Sequence, residues 1–167
     1  RELELFPHII ELGTKKNSSI QLNSFPESIT KSIRIYYVID GKFEWHIHRQ
    51  RHQLYPGDAA LILPGQSFGS EKGFLEIGTI SWIHLNIQRL ESGEMAPGKW
   101  SSLSDSESLA IGKILLLNNS LVLSKLNEAG RILQYIQSEL FSREIGFCTR
   151  ANQLIDELFI TITRHLT

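Results

Sequence analysis

The chain has 167 residues, of which 41% are hydrophobic, and carries a formal net charge of −1 and a single cysteine. That length and apolar content suit one folded unit with a proper core, without disorder or metal-dependent folding. The neutral charge balance gives no sign of nucleic-acid binding, and one cysteine excludes an internal disulfide framework. Because no apolar run is long enough to span a bilayer, we expect a soluble, cytoplasmic protein without membrane contact.

The first ninety residues have the pattern of short strands separated by turns. Ile33–Ile39 is β-branched and aromatic, and Asp40-Gly41 directly after it predicts a tight hairpin turn. Apolar and polar side chains then alternate from Phe43 to His48, which is typical of a half-buried strand. The apolar run at 59–63 and the stretch at 77–87 predict further strands.

The rest of the chain predicts three helices. Ser104-x-x-Glu107 is a capping box that begins a helix running to about Asn119. Apolar residues at three- and four-residue spacing predict helices over Ser124–Ser142 and Thr149–His165. Strands followed by helices make an α+β fold, an antiparallel β-barrel and then a bundle of about three helices. The expected division is a barrel over 1–90, a linker over 91–104 and a helical region over 105–167.

Three histidines within seven positions, His46, His48 and His52, raise the question of a metal site. His46 and His48 have the parity of the polar positions on their strand, so we expect solvated imidazoles there. His52 has the parity of Leu54 and is expected inside, where it either binds a ligand or satisfies a backbone carbonyl. No nucleophile–base pair, phosphate-binding glycine loop or paired-carboxylate pattern predicts catalysis.

Several of these segments resemble a cupin, and more narrowly the sensor domain of AraC-type transcription regulators. The residues that carry the resemblance are Tyr37-Val38 before Asp40-Gly41, Leu54-x-Pro56-Gly57-Asp58, the apolar run, Pro64-Gly65 and the strand Ser81–Ile87. The resemblance implies a jelly-roll barrel that binds a small effector, dimerises through its helices and is not an enzyme. It also implies that DNA is bound only through a helix-turn-helix domain that this chain lacks.

Metal-binding cupins carry their ligands at fixed spacings, and this sequence does not fill them. Aligned on Gly41, the glutamate position holds Arg34; aligned on Gly57, the histidine position holds Phe68. We therefore expect no metal and no cofactor. Two alternatives stay open. One is a metal-dependent cupin enzyme, a dioxygenase or isomerase, with an atypical set of histidine ligands, and the other is a monomeric carbohydrate-binding sandwich.

The barrel interior is expected to bind one small effector, anionic or sugar-like. Arg34 points inward by parity and would hold an anionic group, unless Glu44 or Glu76 pairs with it inside the protein. The aromatic residues either line the cavity or belong to the core. His84 and Trp82 share a face, but the opposite face of their strand is more apolar, which favours an orientation towards solvent for these two side chains. The candidate ligand-binding residues are Arg34, Tyr36, Trp45, His52, Phe68, Trp82 and His84. The residues before Ile20 are expected to form an arm over the cavity.

The third helix carries an apolar stripe that is wider than one packing surface requires. We expect the surplus to be buried against a second copy, and the alternative is that all three helices pack on their own barrel. The predicted homodimer interface comprises Leu154, Ile155, Leu158, Phe159 and Ile162. Membrane binding is not expected, because the polar face carries Asn152, Asp156 and Glu157 instead of a basic band.

Overall fold

The structure is a computed structural model that describes residues 3–118 and 121–167. The strands are β1 (Ile9–Asn17), β2 (Ser28–Ile29), β3 (Ile33–Gly41), β4 (Phe43–Ile47), β5 (Gln50–Leu54), β6 (Ala59–Ile62), β7 (Ser67–Ser70), β8 (Gly78–Leu85), β9 (Gln88–Arg89), β10 (Met95–Ala96) and β11 (Val122–Leu123). The helices are α1 (Asp105–Leu117), α2 (Asn127–Ser142) and α3 (Phe147–Leu166).

Two antiparallel sheets face each other in a cupin-like jelly roll. One sheet has the order β1-β8-β3-β6-β11 and the other the order β2-β7-β4-β5, while β9 and β10 form a separate pair. Aromatic and aliphatic side chains from both sheets meet between them, including Tyr36, Phe43, Trp45 and Phe68. The predicted fold class, with helices in the C-terminal part, is confirmed.

The turn at Asp40-Gly41 is not the hairpin that the sequence predicted. Strand β3 pairs with β6 and β8, whereas β4 pairs with β5 and β7, so the chain passes here from one sheet to the other. Gly41 has a φ of 91°, and an added Cβ would lie 2.7 Å from the carbonyl oxygen of Ile77. The glycine is required because the corner is both left-handed and closely packed.

Two residues in the left-handed region, His48 and Arg49, make the tight turn between β4 and β5, with φ angles of 50° and 67°. Positive φ at both central positions is the geometry of a type I′ hairpin, which glycine and asparagine adopt most readily. His48 therefore lies in the turn and is exposed, one residue beyond the strand on which the alternation placed it.

The outer face of the five-stranded sheet is covered by the helices. Ile35, Leu61 and Ile83 on this face share one apolar core with residues of α2 and α3. The capping box is confirmed, since the Ser104 hydroxyl accepts the backbone N–H of Glu107 at 3.2 Å. Helix α1 ends at Leu117. The predicted end at Asn119 lies outside the described residues. No helix of the described chain is long and apolar enough to cross a membrane.

The apolar stripe of α3 packs within the chain itself. Its five predicted dimer residues are only 0–3% exposed and belong to the core shared with the sheet: Leu154, Ile155, Leu158, Phe159 and Ile162. The assignment of this stripe to an interface between copies is therefore wrong, because α2, α1 and the short strand β11 supply the surfaces that a wide stripe needs. The homodimer through the C-terminal helices itself stays a prediction.

The polar face of α3 is also partly covered. Asp156 accepts the Ser101 hydroxyl and the backbone N–H of Ser102, the latter at 2.8 Å, and this holds the predicted linker against the helix. Asn152 Oδ1 lies 2.8 Å from Nε2 of His8, whose ring stacks on Trp100 at 4.6 Å between centroids. The segment at 91–104 is consequently packed and ordered by these contacts, and contains β10.

The Pro56-Gly57-Asp58 turn ties the barrel to the start of α2. Asp58 accepts the backbone N–H of Tyr55 at 2.9 Å with one carboxylate oxygen and that of Lys125 at 3.1 Å with the other. The carbonyl of Gly57 accepts the backbone N–H of Leu126 at 2.7 Å. This turn, which carries part of the family resemblance, therefore has a structural role: its buried carboxylate joins the barrel to the start of α2.

A candidate ligand-binding cleft

Three strands bring the polar residues of the site into rows. In an antiparallel pair, residues directly opposite each other project from the same face. Glu11 on β1 lies opposite His84 on β8, and His84 lies opposite Arg34 on β3. The next row is Gly13, Trp82 and Tyr36. Both rows face the space between the two sheets, where Arg34, Tyr36, Trp82 and His84 had been predicted to bind a ligand.

These rows line one cleft of about 210 Å³ at the rim of the barrel. Its walls combine charged and polar groups with aromatic and aliphatic ones: Glu11, Lys15, Phe25, Arg34, Tyr36, Leu75, Ile80, Trp82 and His84. Four of the seven predicted ligand-binding residues are therefore together. The volume is below the 300–1,000 Å³ typical of drug-sized sites, so the cleft suits a small molecule.

Arg34 is half-buried and has no carboxylate partner among the described residues. Its Nε donates to the Thr30 hydroxyl at 3.2 Å, and its Nη1 donates to the Tyr36 hydroxyl at 3.3 Å. The guanidinium also lies over the ring of Phe68, with Cζ 5.0 Å from the ring centroid. Neutral oxygens and an aromatic face offset part of the cost of burial, but the positive charge stays unneutralised.

The two acids that the sequence analysis proposed as internal partners of Arg34 bind elsewhere. Glu76 accepts the backbone N–H of Glu44 at 2.6 Å and the indole N–H of Trp45 at 3.2 Å. Glu44 itself lies 3.7 Å from the ammonium of Lys72. The internal-pair alternative for Arg34 is therefore wrong, because both carboxylates are committed to the other sheet.

His84 faces the cleft and not the solvent, contrary to the sequence analysis. It is 6% exposed, and its Nε2 has no hydrogen-bond partner in the part of the chain that the structure describes. Burial, reinforced by the nearby charge of Arg34, lowers the pKa of His84 to about 4. The opposite face of β8 is more apolar because it packs under the helices. By comparison, the face of β8 that lines the cleft is less apolar, and the sequence pattern therefore assigned it to solvent.

Trp82 forms the outer wall of the cleft. Its indole N–H donates to Glu11 at 2.8 Å, and its ring lies across Gly13, where an added Cβ would meet Cζ2 at 3.0 Å. Glycine at this position lets the indole lie flat along β1 and reach the carboxylate. Deeper in the cleft, burial raises the pKa of Tyr36 above its usual value, so its hydroxyl stays protonated.

The other predicted ligand-binding residues lie outside the cleft. Trp45 and Phe68 are 0% and 2% exposed and form the core beneath it. His52 lies opposite Trp45 on the edge strand β5, half-buried, beside a different surface depression lined by Glu44, Glu71 and Lys72. Burial lowers the pKa of His52.

A metal site does not fit these residues. His46 lies on the outer face, with Nδ1 3.8 Å from Glu71, while His48 is exposed in the turn and His84 belongs to the other sheet. Within residues 3–118 and 121–167, no group of three or more His, Cys, Asp or Glu side chains is placed to hold a metal ion. In the cleft, the fixed charge of Arg34 would repel a cation.

Five lining residues of the cleft were not predicted from the sequence: Glu11, Lys15, Phe25, Leu75 and Ile80. Residues 9–17 form the edge strand β1 in place of the predicted arm, and this brings Glu11 and Lys15 to the rim. Their spacing of four on a strand would have placed them on one face, had the strand been recognised. Phe25 comes from the loop before β2 and stacks on Trp45 at 4.8 Å between centroids. A lone aromatic residue in a loop carries no sequence signal for this contact.

One family of known proteins has a sequence model that matches part of this chain. Residues 19–93, less than half of the chain, match the sequence model of the AraC-like ligand binding domain family. No curated protein matches the chain.

Similar solved structures include an RmlC-like cupin from Shewanella frigidimarina, with 15% identity, a TM-score of 0.35 and coverage of 45% of this chain and 66% of that one. The Clostridium difficile EutQ protein has 18% identity, a TM-score of 0.37 and coverage of 50% and 61%. A predicted oxalate decarboxylase from Thermotoga maritima has 12% identity, a TM-score of 0.38 and coverage of 52% and 74%. The matches to the first two span less than two thirds of their length, and such distant likenesses carry no information on ligand or activity.

Proposed function

We propose that this chain is the effector-binding domain of an AraC-type transcription regulator, which senses a small molecule in the cleft beside Arg34. The observation that carries the proposal is a half-buried arginine without an acidic partner at the wall of a cleft. A charge left in that state is stabilised when a ligand of opposite charge reaches it. The match of residues 19–93 to AraC-like ligand binding domains supports the same conclusion.

Strand β3 offers a route from the cleft to the helices. Arg34 and Tyr36 point into the cleft. Tyr37, which lies between Tyr36 and Val38 on the strand, points to α2 instead. The Tyr37 hydroxyl donates to Asn127 at 3.0 Å, and its ring lies so close to Gly130 that no Cβ fits there. A ligand that shifts β3 must therefore also shift the contact with α2. In a regulator, such differential contact is what allows an effector to favour one state of the helices.

The test is a screen of the purified protein against neutral sugars, amines, phosphates and carboxylates. Trp82 lines the cleft, so a bound ligand is expected to change tryptophan fluorescence in a saturable way. The same ligand should alter amide hydrogen exchange in α2, where Tyr37 makes its contact. The Trp82→Phe variant is the control, because it should lose most of the optical signal while the heat of binding remains.

Two results would contradict the proposal. Binding in the cleft without any change of exchange in α2 would indicate a carrier or a carbohydrate-binding module in place of a sensor. Consumption of the ligand, or one tightly held transition metal per chain by elemental analysis, would indicate the metal-dependent enzyme that the sequence left open.

A further inference from the structure

We infer that the cleft is built for a small monocarboxylate, held between Arg34 and His84. This inference rests on the proposed function and goes one step further, because it names the chemical class of the effector. Arg34 and His84 lie directly opposite each other on β3 and β8, and both side chains line the cleft. One carboxylate can therefore meet both.

The hydrogen-bonding groups of the cleft are mainly donors. Two of the five N–H groups of Arg34 are used, on Thr30 and Tyr36, which leaves three. The Tyr36 hydroxyl accepts from Arg34 and keeps its own hydrogen free to donate, while a neutral His84 carries one N–H donor and one acceptor nitrogen. A group that meets several donors must be an acceptor, and an ionised carboxylate is acceptor-only. Sugar hydroxyls would instead need acceptors as well.

The charge of the cleft favours a single negative charge on the ligand. Its lining includes two cations, Arg34 and Lys15, and one anion, Glu11, so its formal net charge is +1 while His84 is neutral. Glu11 and Lys15 are exposed at the rim, where solvent screens them, and Glu11 already accepts the indole N–H of Trp82. The dominant charge for a buried ligand is therefore Arg34 alone. A monoanion is neutralised there, whereas a phosphate dianion would leave one charge uncompensated next to Glu11.

The size and the apolar lining of the cleft define the rest of the ligand. A volume of about 210 Å³ corresponds to roughly seven water-sized groups. Phe25, Leu75 and Ile80 add an apolar and partly aromatic part to the lining, Ile80 in the row next to Trp82 on β8. The ligand is consequently a carboxylate with a short apolar or aryl body, and not an extended polar molecule.

The experiment compares matched probes on the wild-type protein at constant ionic strength. Butyrate and benzoate are titrated beside butyramide and benzamide, which have the same shape without the charge, and beside inorganic phosphate. Saturable changes in tryptophan fluorescence are expected for the carboxylates. Because a charge-assisted hydrogen bond is lost, the amides should bind at least about tenfold more weakly, and phosphate should also be weaker.

The variants assign the effect to Arg34. Arg34→Met should lower the affinity for the carboxylate by at least about tenfold, and Arg34→Lys should recover part of it because the charge returns. Arg131→Met is the matched control, since Arg131 lies on α2, is exposed and pairs with Glu128. It should leave the affinity unchanged. Circular dichroism establishes that each variant is folded, and the ligand series on the wild-type protein does not depend on any variant.

Distinct outcomes separate this inference from the proposed function. Equal binding of amides and carboxylates, or tighter binding of phosphate, would overturn the monocarboxylate while the sensing cleft stands. An absence of saturable binding by both carboxylates, with a sugar or an amine bound in the cleft instead, would have the same meaning. If no compound of any class perturbs Trp82, both the class of ligand and the proposed function are wrong.

Discussion

The folded protein should become less stable as the pH falls below 6.5, and His84 should account for a large part of this loss. Its pKa is about 4 in the folded state, against 6.5 for a free imidazole. Between these two values the unfolded chain binds a proton that the folded chain excludes. The contribution of neutral His84 to the free energy of unfolding is thus fully present above pH 6.5, declines as the pH falls, and is lost near pH 4.

The size of the effect follows from the shift in pKa. One proton bound only by the unfolded state gives a slope of about 1.4 kcal/mol per pH unit in the free energy of unfolding. Over the window from 6.5 to about 4, this amounts to roughly 2–3 kcal/mol, after allowance for solvent that reaches the cleft. A domain of this size has a total stability of about 5–15 kcal/mol, so the loss is readily measured.

The assay is urea unfolding at intervals between pH 4.5 and 7, for the wild-type protein and for His84→Gln. Glutamine keeps a polar side chain beside Arg34 but does not titrate. His8 and His52 also have lowered pKa values because of burial, and they contribute to both proteins alike. The difference in slope between the two proteins therefore isolates His84 and should be about 1 kcal/mol per pH unit. Equal slopes would show that the imidazole is not held neutral in the cleft.

Two further changes test the packing of α3 and the β4–β5 turn. Leu158→Ala should cost about 2–5 kcal/mol in the free energy of unfolding, because Leu158 is fully buried in the chain's own core. Sedimentation of the folded variant should give the same mass as the wild-type protein. A shift towards monomer would indicate that the stripe on α3 is a dimer interface after all. Arg49→Gly should stabilise the protein by about 0.5–1 kcal/mol, because Arg49 has a φ of 67° that glycine adopts without strain; a urea midpoint at or below that of the wild type would contradict this reasoning.

Local patterns in the sequence predicted most of the secondary structure. The alternation at Phe43–Ile47 and the apolar run at 59–62 identify β4 and β6, and the capping box marks the start of α1. These signals work because strand parity and helix caps depend on neighbours in the chain. Parity was also sufficient to predict that Arg34 and Tyr36 point into the barrel.

Long-range packing decided the points at which the predictions failed. The stripe on α3 is covered by α2 and α1, and the apolar face of β8 is covered by α2, so neither was available for the role that its own pattern suggested. A single element shows that it has an apolar face, but the identity of the covering surface is a property of the whole fold.

The cleft shows the same division between local and tertiary information. Strand parity is sufficient to predict that Arg34 points inward, at a position that the resemblance aligns with an acid of metal-binding cupins. The assembled fold is needed to show that Glu44 and Glu76 are bound elsewhere, that His84 lies opposite Arg34, and that β1 closes the rim. Strand register and hydrogen-bond partners join residues far apart in the chain, and they are settled only when the sheets assemble.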